Sequence, residues 1–225
     1  GSYADLFVGE KYDASAVPEG WSLPEFDDTL WQPVLVTDMP LETLQPQTGQ
    51  SVRIVKEWEP LAVLRTPNGD TVVDAGQNLA GFLRITLDTG AGCEIVLEYS
   101  ETLDENGNFF NNIKGVNKDQ RDVYITRDGK QSWQPAFTYH GFRYVRINGW
   151  PGELSCDQLR VCAVSSEDDF TGDFACSDER LNQLQHNIIW SQISNMVSIP
   201  TDCPQREKVG WTGDLTVYAP TMLYL

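Results

Sequence analysis

Between residues 52 and 165 the chain is a succession of short runs in which apolar and polar side chains alternate. Phe82-Leu83-Arg84-Ile85-Thr86-Leu87 and Cys93-Glu94-Ile95-Val96-Leu97-Glu98-Tyr99 are the clearest of them. A period of two places every second side chain on one face of a strand, so each run reads as a half-buried strand. Asp88-Thr89-Gly90-Ala91-Gly92 between the two is turn chemistry, and Glu105-Asn106-Gly107-Asn108 marks another turn. Asp122-Val123-Tyr124-Ile125-Thr126 and Tyr144-Val145-Arg146-Ile147 continue the pattern. Many short strands joined by Gly, Asn and Asp turns predict an antiparallel β-sandwich.

The period changes after Ser166. Ser177 reads as an N-cap, with Asp178 and Glu179 in the first turn. Leu181, Leu184, Ile188, Ile189, Ile193 and Met196 fall at helical spacing, which predicts a helix from about Asp178 to Met196. Val197-Ser198-Ile199-Pro200 ends it, because a proline holds the residue before it in extended geometry. A polar loop from Thr201 to Asp214 follows. Asp214 is expected to cap a second helix running into Leu225, kinked or delayed by Pro220. The expected fold is mainly β, an antiparallel sandwich followed by the first helices of an α-helical unit. Residues 3 to about 58 also read as strand-like and turn-rich, with Phe26 and Trp31 anchoring a loop onto a sheet around an Asp27-Asp28 turn. The stretch from Met39 to Gln50 reads as a connector. Tyr3–Gly9 begins like the middle of a strand and Thr221–Leu225 stops within an apolar stretch, so a piece of a longer protein is expected.

Charge and cysteine usage remove several function classes. With 16 Lys and Arg against 33 Asp and Glu, the 225-residue chain carries a net charge of −17. A phosphate backbone or an anionic membrane surface would be repelled. A hydrophobic fraction of 40% excludes a disordered acidic tail. No apolar run approaches the ~20 residues that span a bilayer. Cys93, Cys156, Cys162, Cys176 and Cys203 include no C-x-x-C pair, and the two histidines are His140 and His186. Buried free thiols fit this pattern better than a zinc site. No metal and no organic cofactor is implied. His140 reads as a structural hydrogen-bonding side chain, His186 as facing solvent or a neighbour, and Glu98 as a solvent-facing strand position. Glu167-Asp168-Asp169 reads as a solvated linker rather than a calcium site.

The loop Thr201-Asp202-Cys203-Pro204-Gln205-Arg206-Glu207-Lys208-Val209-Gly210-Trp211-Thr212-Gly213-Asp214 concentrates Asp202, Glu207, Asp214, Arg206 and Trp211. Carboxylates are what glycoside hydrolysis needs, one to protonate the leaving oxygen and one to activate water. Carboxylates also grip sugar hydroxyls, and an indole face packs on a sugar ring. An arginine beside a carboxylate can tune it. On residue types alone, caps, turns and surface pairs remain an equal account of the same loop.

Several motifs, in order, are similar to those of bacterial α-L-rhamnosidases. The loop with its flanks Val197–Pro200 and Leu215–Thr221 resembles that family's signature. Asp74-Ala75-Gly76-Gln77-Asn78-Leu79-Ala80-Gly81, Glu101-Thr102-Leu103-Asp104-Glu105-Asn106-Gly107-Asn108 and Phe137-Thr138-Tyr139-His140-Gly141-Phe142-Arg143-Tyr144 resemble further family motifs. Tyr12-Asp13-Ala14, Phe26-Asp27-Asp28 and Phe174–Asp178 also fit. The resemblance covers essentially the whole chain. It implies removal of terminal α-L-rhamnose from rhamnosides with inversion, in an (α/α)6 barrel preceded by β-sandwich domains. It divides the chain into a jelly-roll-like end with connector over 1–50, a β-sandwich over 51–168 and the start of the barrel over 169–225. It assigns Glu207 as the general acid, Asp202 and Asp214 as binders of sugar hydroxyls, Trp211 as a pocket wall and Arg206 as a pocket residue. Many relatives read R-D-E-R-x-G-W where this chain has Arg206-Glu207-Lys208-Val209-Gly210-Trp211, so the acid keeps its spacing to Trp211 and Asp214 but stands nearer Asp202. The family's general base is a Glu expected beyond Leu225, within the remainder of the barrel, so the chain alone is expected to be inactive. The alternative is a non-catalytic β-sandwich that binds carbohydrate or serves as scaffold.

Overall fold

The computed structural model describes residues 2–113, 119–167 and 169–225; Asp168 of the acidic run lies outside them. Among the described residues ten strands form one sheet: β1 (Tyr3–Asp5), β2 (Gly9–Asp13), β3 (Arg53–Trp58), β4 (Ala62–Arg65), β5 (Thr71–Thr89), β6 (Glu94–Ser100), β7 (Arg121–Ile125), β8 (Gly129–Trp133), β9 (His140–Asn148) and β10 (Leu159–Ser165). Their order is β1-β2-β7-β6-β9-β5-β10-β3, with β4 and β8 pairing with opposite ends of β5. β2 lies parallel to β7.

β5 sets the shape. It pairs with β4 over Thr71–Asp74, with β9 up to Gly81, with β10 over Gly81–Ile85 and with β8 over Ile85–Thr89. Its register against β9 shifts between Asp74 and Leu79, where Gly76 takes a φ of 79°. A long strand with an irregularity of this kind bends and twists, and the sheet curls with it. At Gly81 the β10 backbone comes so close that a Cβ would stand 1.9 Å from the Cys162 carbonyl oxygen. The chain is therefore mainly β, a curled sheet with few helices, consistent with the expected sandwich.

Alternation accounts for the core. Leu83, Ile85, Ile95, Leu97, Val145, Leu159 and Val161 are fully or almost fully buried at every-second positions of their strands. Each contributes roughly 1.5–3 kcal/mol by leaving water. Phe142 and Tyr99 meet edge to face at 4.9 Å, and Tyr124 stacks on Trp133 at 5.0 Å. Cys162 is buried, which pushes its thiol up to about 11, and the other four cysteines are half-buried. His140 is fully buried and bonded to Asp122, a structural histidine as read from the sequence. His186 is exposed and lies 3.3 Å from Gln77 Oε1. Glu98 departs from its solvent-facing expectation: it is half-buried, because Arg146 and Asn148 of neighbouring β9 donate to its carboxylate.

The first 58 residues are less regular than the sequence predicts. Strand geometry is confined to β1, β2 and β3, and short 3-10 turns at Ala14–Ala16 and Leu41–Thr43 punctuate the span between them. Phe26 and Trp31 pack on one another at 5.4 Å, with Trp31 half exposed, and Asp27 makes the expected turn by accepting from Thr29 N.

Among the described residues two α-helices follow the sheet. The first, α1 (Glu179–Asn195), is capped by Asp178, whose carboxylate accepts from Arg180 N; Ser177 is one residue too early. Its apolar stripe is only partly used. Ile193 is buried, Ile188 and Ile189 are half-buried, and Leu181 and Leu184 are exposed. Trp190, absent from the expected stripe, docks the helix by an edge-to-face contact with Trp58 of β3 at 5.7 Å. A two-residue hairpin, β11 (Met196–Val197) and β12 (Ile199–Pro200), turns through Ser198 at φ 67°. The second helix, α2 (Thr212–Met222), starts two residues before Asp214, which lies in its first turn rather than at its cap. Pro220 sits in the last turn, where it removes the N–H that would bond the Thr216 carbonyl, and the helix ends two residues later. Of the closing residues Leu223 and Tyr224 are exposed, but Leu225 is buried, its carbonyl accepting from Thr171 N and Gly172 N.

Candidate active site

Residues 201–211 leave the hairpin as a loop closed by its own polar groups. Asp202 N donates to the Val209 carbonyl at 3.0 Å, and Val209 N returns a bond to Asp202 Oδ1 at 3.1 Å. Within that ring Cys203 Sγ bonds Asp202 Oδ2 at 3.2 Å and accepts the Glu207 N–H at 3.4 Å. Glu207 is half-buried. Its Oε2 accepts the Trp211 indole N–H at 2.9 Å, and its Oε1 pairs with the Arg206 guanidinium. Arg206 and Trp211 are themselves exposed.

The sequence candidates thus fall into two neighbouring groups. Arg206, Glu207 and Trp211 form one. Asp202 and Asp214 line a cleft of about 840 Å³ between α1 and α2, with Asn187, Gln192, Asn195 and Tyr218. Asp202 joins the groups, because Cys203 connects its carboxylate to the Glu207 amide. Each carboxylate oxygen keeps a lone pair beyond its internal bond, so the set can accept from hydroxyls of a bound polyol. Tyr218 reaches Gln192 with its hydroxyl and ties α2 to α1; its partial burial pushes the phenol up to about 12.

The loop rests on the sheet. Pro204 and Gln205 lie over Gly141, where a Cβ would stand 2.8 Å from Pro204 Cγ. Gln205 Nε2 donates to Glu101 Oε2 at 2.7 Å, and Gln120 donates to the Gln205 carbonyl. Asn78 Nδ2 holds the other Glu101 oxygen at 3.1 Å. Arg143 clamps Asp74 with two bonds of 2.9 and 3.0 Å.

Three family models divide the chain among themselves. An α-L-rhamnosidase N-terminal domain matches residues 2–56. A bacterial α-L-rhamnosidase concanavalin-like domain matches 64–165, and a bacterial α-L-rhamnosidase 6 hairpin glycosidase domain matches 169–225. The chain belongs to the bacterial α-L-rhamnosidases. An α-L-rhamnosidase of Streptomyces avermitilis is 37% identical over 225 residues, spanning 98% of this chain and 22% of its own. The structure of α-L-rhamnosidase from Dictyoglumus thermophilum superposes with a TM-score of 0.90 at 38% identity, over 98% of this chain and 25% of that one. A Streptomyces avermitilis α-L-rhamnosidase complexed with L-rhamnose superposes equally well, at 38% identity over 97% of this chain and 22% of its own. The chain spans about a quarter of the length of these relatives.

The rhamnosidase motifs far apart in sequence meet beneath the loop. Asn78 of the first motif and Glu101 of the second carry Gln205, and Gly141 of the third leaves room for Pro204. Sequence reasoning passed over Lys208. A lysine beside a glutamate in a polar loop reads as a solvated charge, yet Lys208 is 7% exposed. Burial holds its ammonium down at about 8, while Asp122 and Asp5 oppose that shift.

The depressed value has a definite sign in stability. Between pH 8 and 10.5 the unfolded rhamnosidase chain binds the lysine proton and the folded chain does not, so stability rises with pH across that window. Relative to Lys208→Met, the unaltered chain is expected to gain about 2 kcal/mol from pH 7.5 to pH 10. Urea unfolding of both at the two pH values measures it. A stability gap that does not change with pH would show that the ammonium is not confined.

Proposed function

We propose that the chain is the acid-bearing part of an enzyme that releases terminal α-L-rhamnose from rhamnosides with inversion of configuration. The supporting observation is the Glu207 carboxylate, fixed by the Trp211 indole in a loop matched to the rhamnosidase hairpin domain. In this reading Glu207 protonates the glycosidic oxygen as the bond to the sugar breaks. Asp202 and Asp214 accept bonds from rhamnose hydroxyls, Trp211 walls the ring and Arg206 contributes to the rim. No metal or organic cofactor takes part.

Inversion requires a second carboxylate ~6.5–9.5 Å from the acid, with a water between. We assign that base to chain beyond Leu225, and α1 and α2 to the first helices of an (α/α)6 barrel that the remainder completes. The sequence divides accordingly into 1–50, 51–168 and 169–225, and the 225-residue chain alone is inactive.

An aryl α-L-rhamnoside followed by proton NMR tests the proposal. The full-length enzyme is expected to release β-L-rhamnose first, and the 225-residue chain none. First release of the α-anomer overturns inversion. Turnover by the 225-residue chain overturns the missing base. Sugar binding by the full-length protein without any turnover favours a carbohydrate-binding module.

A further inference from the structure

Lys208 follows the proposed acid directly, and its side chain runs into the protein. Its Nζ donates to the Leu6 carbonyl at 2.6 Å and to the Tyr139 carbonyl at 2.5 Å. It also lies 4.7 Å from the centre of the Tyr139 ring, in cation–π range. Leu6 belongs to the turn between β1 and β2, and Thr138 Oγ1 donates to the same carbonyl at 3.0 Å. One ammonium therefore joins the loop, the N-terminal hairpin and the segment entering β9.

The charge setting is consistent. Asp5 from β1, Asp122 from β7 and Cys203 from the loop favour the ammonium against the cost of burial. His140 lies on Asp122 at 3.0 Å, and burial lowers its pKa, so its ring adds no opposing charge at neutral pH. Glu10 of β2 is occupied by the amides of Ala136 and Phe137. Lys208 also holds a φ of 53°, a left-handed backbone uncommon outside glycine. A buried charge and a strained backbone both fall on the residue after Glu207. A loop with no positional task would need neither.

We propose that Lys208 is a positioning residue that staples the loop to the β1–β2 turn and to Tyr139, and so fixes the reach of the Glu207 carboxylate. The proposal rests on the reading of Glu207 as general acid. A misplaced acid has a signature that general loosening lacks. Poor leaving groups need the proton and suffer, whereas activated ones depart without it.

The test uses the full-length enzyme and a series of aryl α-L-rhamnosides of rising leaving-group pKa. For Lys208→Met, kcat on the poorest leaving group is expected to fall about 10–100-fold. On the most activated substrate it is expected to change less than about 3-fold, with KM likewise steady. Lys208→Gln, which keeps a neutral donor, is read in the same way should the methionine variant fail to fold. An equal loss across the series, or no loss, overturns the proposal. Glu207→Gln is measured alongside. If it keeps full rates on poor leaving groups, the acid assignment falls. If it loses them while the Lys208 slope stays unchanged, only the staple falls.

Discussion

Glu207→Gln in the full-length enzyme is expected to lower kcat on a rhamnoside with a poor leaving group by about 10²–10⁴-fold, the range a positioned general acid supplies. The amide has the shape of the carboxyl but no proton to give. Its oxygen can still accept the Trp211 indole N–H that Glu207 Oε2 holds at 2.9 Å. The pair lost with Arg206 is solvent-accessible on both sides, so stability should move by no more than about 1 kcal/mol. Rates on activated aryl rhamnosides should fall far less. Steady-state kinetics across both substrate types, with a melting curve for each variant, reads the prediction. Unimpaired turnover of the poor substrate would remove Glu207 from the chemistry.

The second large effect is expected in the sheet. Asp122 is fully buried on β7. Its Oδ1 accepts the Glu10 N–H at 2.9 Å, its Oδ2 meets His140 Nε2 at 3.0 Å, and its charge favours the Lys208 ammonium. Asp122→Ala strands two buried donors and leaves Lys208 with less negative charge nearby. Removal of one partner from such a buried network costs about 3–5 kcal/mol. Urea unfolding of the 225-residue chain should show the loss as an earlier midpoint with an unchanged slope. A midpoint that does not move would mean that the network is compensated elsewhere, or that it is absent from the folded chain.

The sheet was legible because its signal is local. Alternation places Cys93–Tyr99 and Asp122–Thr126 within a residue of β6 and β7, and Phe82–Leu87 and Tyr144–Ile147 inside the longer β5 and β9. What it missed depends on distant partners. β5 continues through Asp74-Ala75-Gly76 with a register shift that only its pairing with β9 defines. The parallel pairing of β2 with β7 joins segments more than a hundred residues apart, and no short window contains it. Trp190 lies off the expected stripe, and its edge-to-face contact with Trp58 becomes visible only once α1 packs on the sheet. Asp214 obeys a good capping rule at the wrong place, since the helix begins at Thr212 without a side-chain cap. At the site, residue types drew attention to Asp202, Arg206, Glu207, Trp211 and Asp214. The anchors Gln120, Gln205 and Lys208 were invisible, because their role exists only once the loop meets the sheet.

The bond between Leu6 and Lys208 spans 202 positions of sequence. Synthesis runs from the N-terminus, and domains tend to fold as they emerge. The residues of the hairpin, the shelf at Gly141 and the Glu101 bracket all precede residues 201–211 in synthesis. The contact that closes the loop is among the most distant a chain of this size can make. In refolding, recovery of that contact should trail recovery of the strands. A sheet set one register off would have nowhere to seat the loop, however native its β content looked.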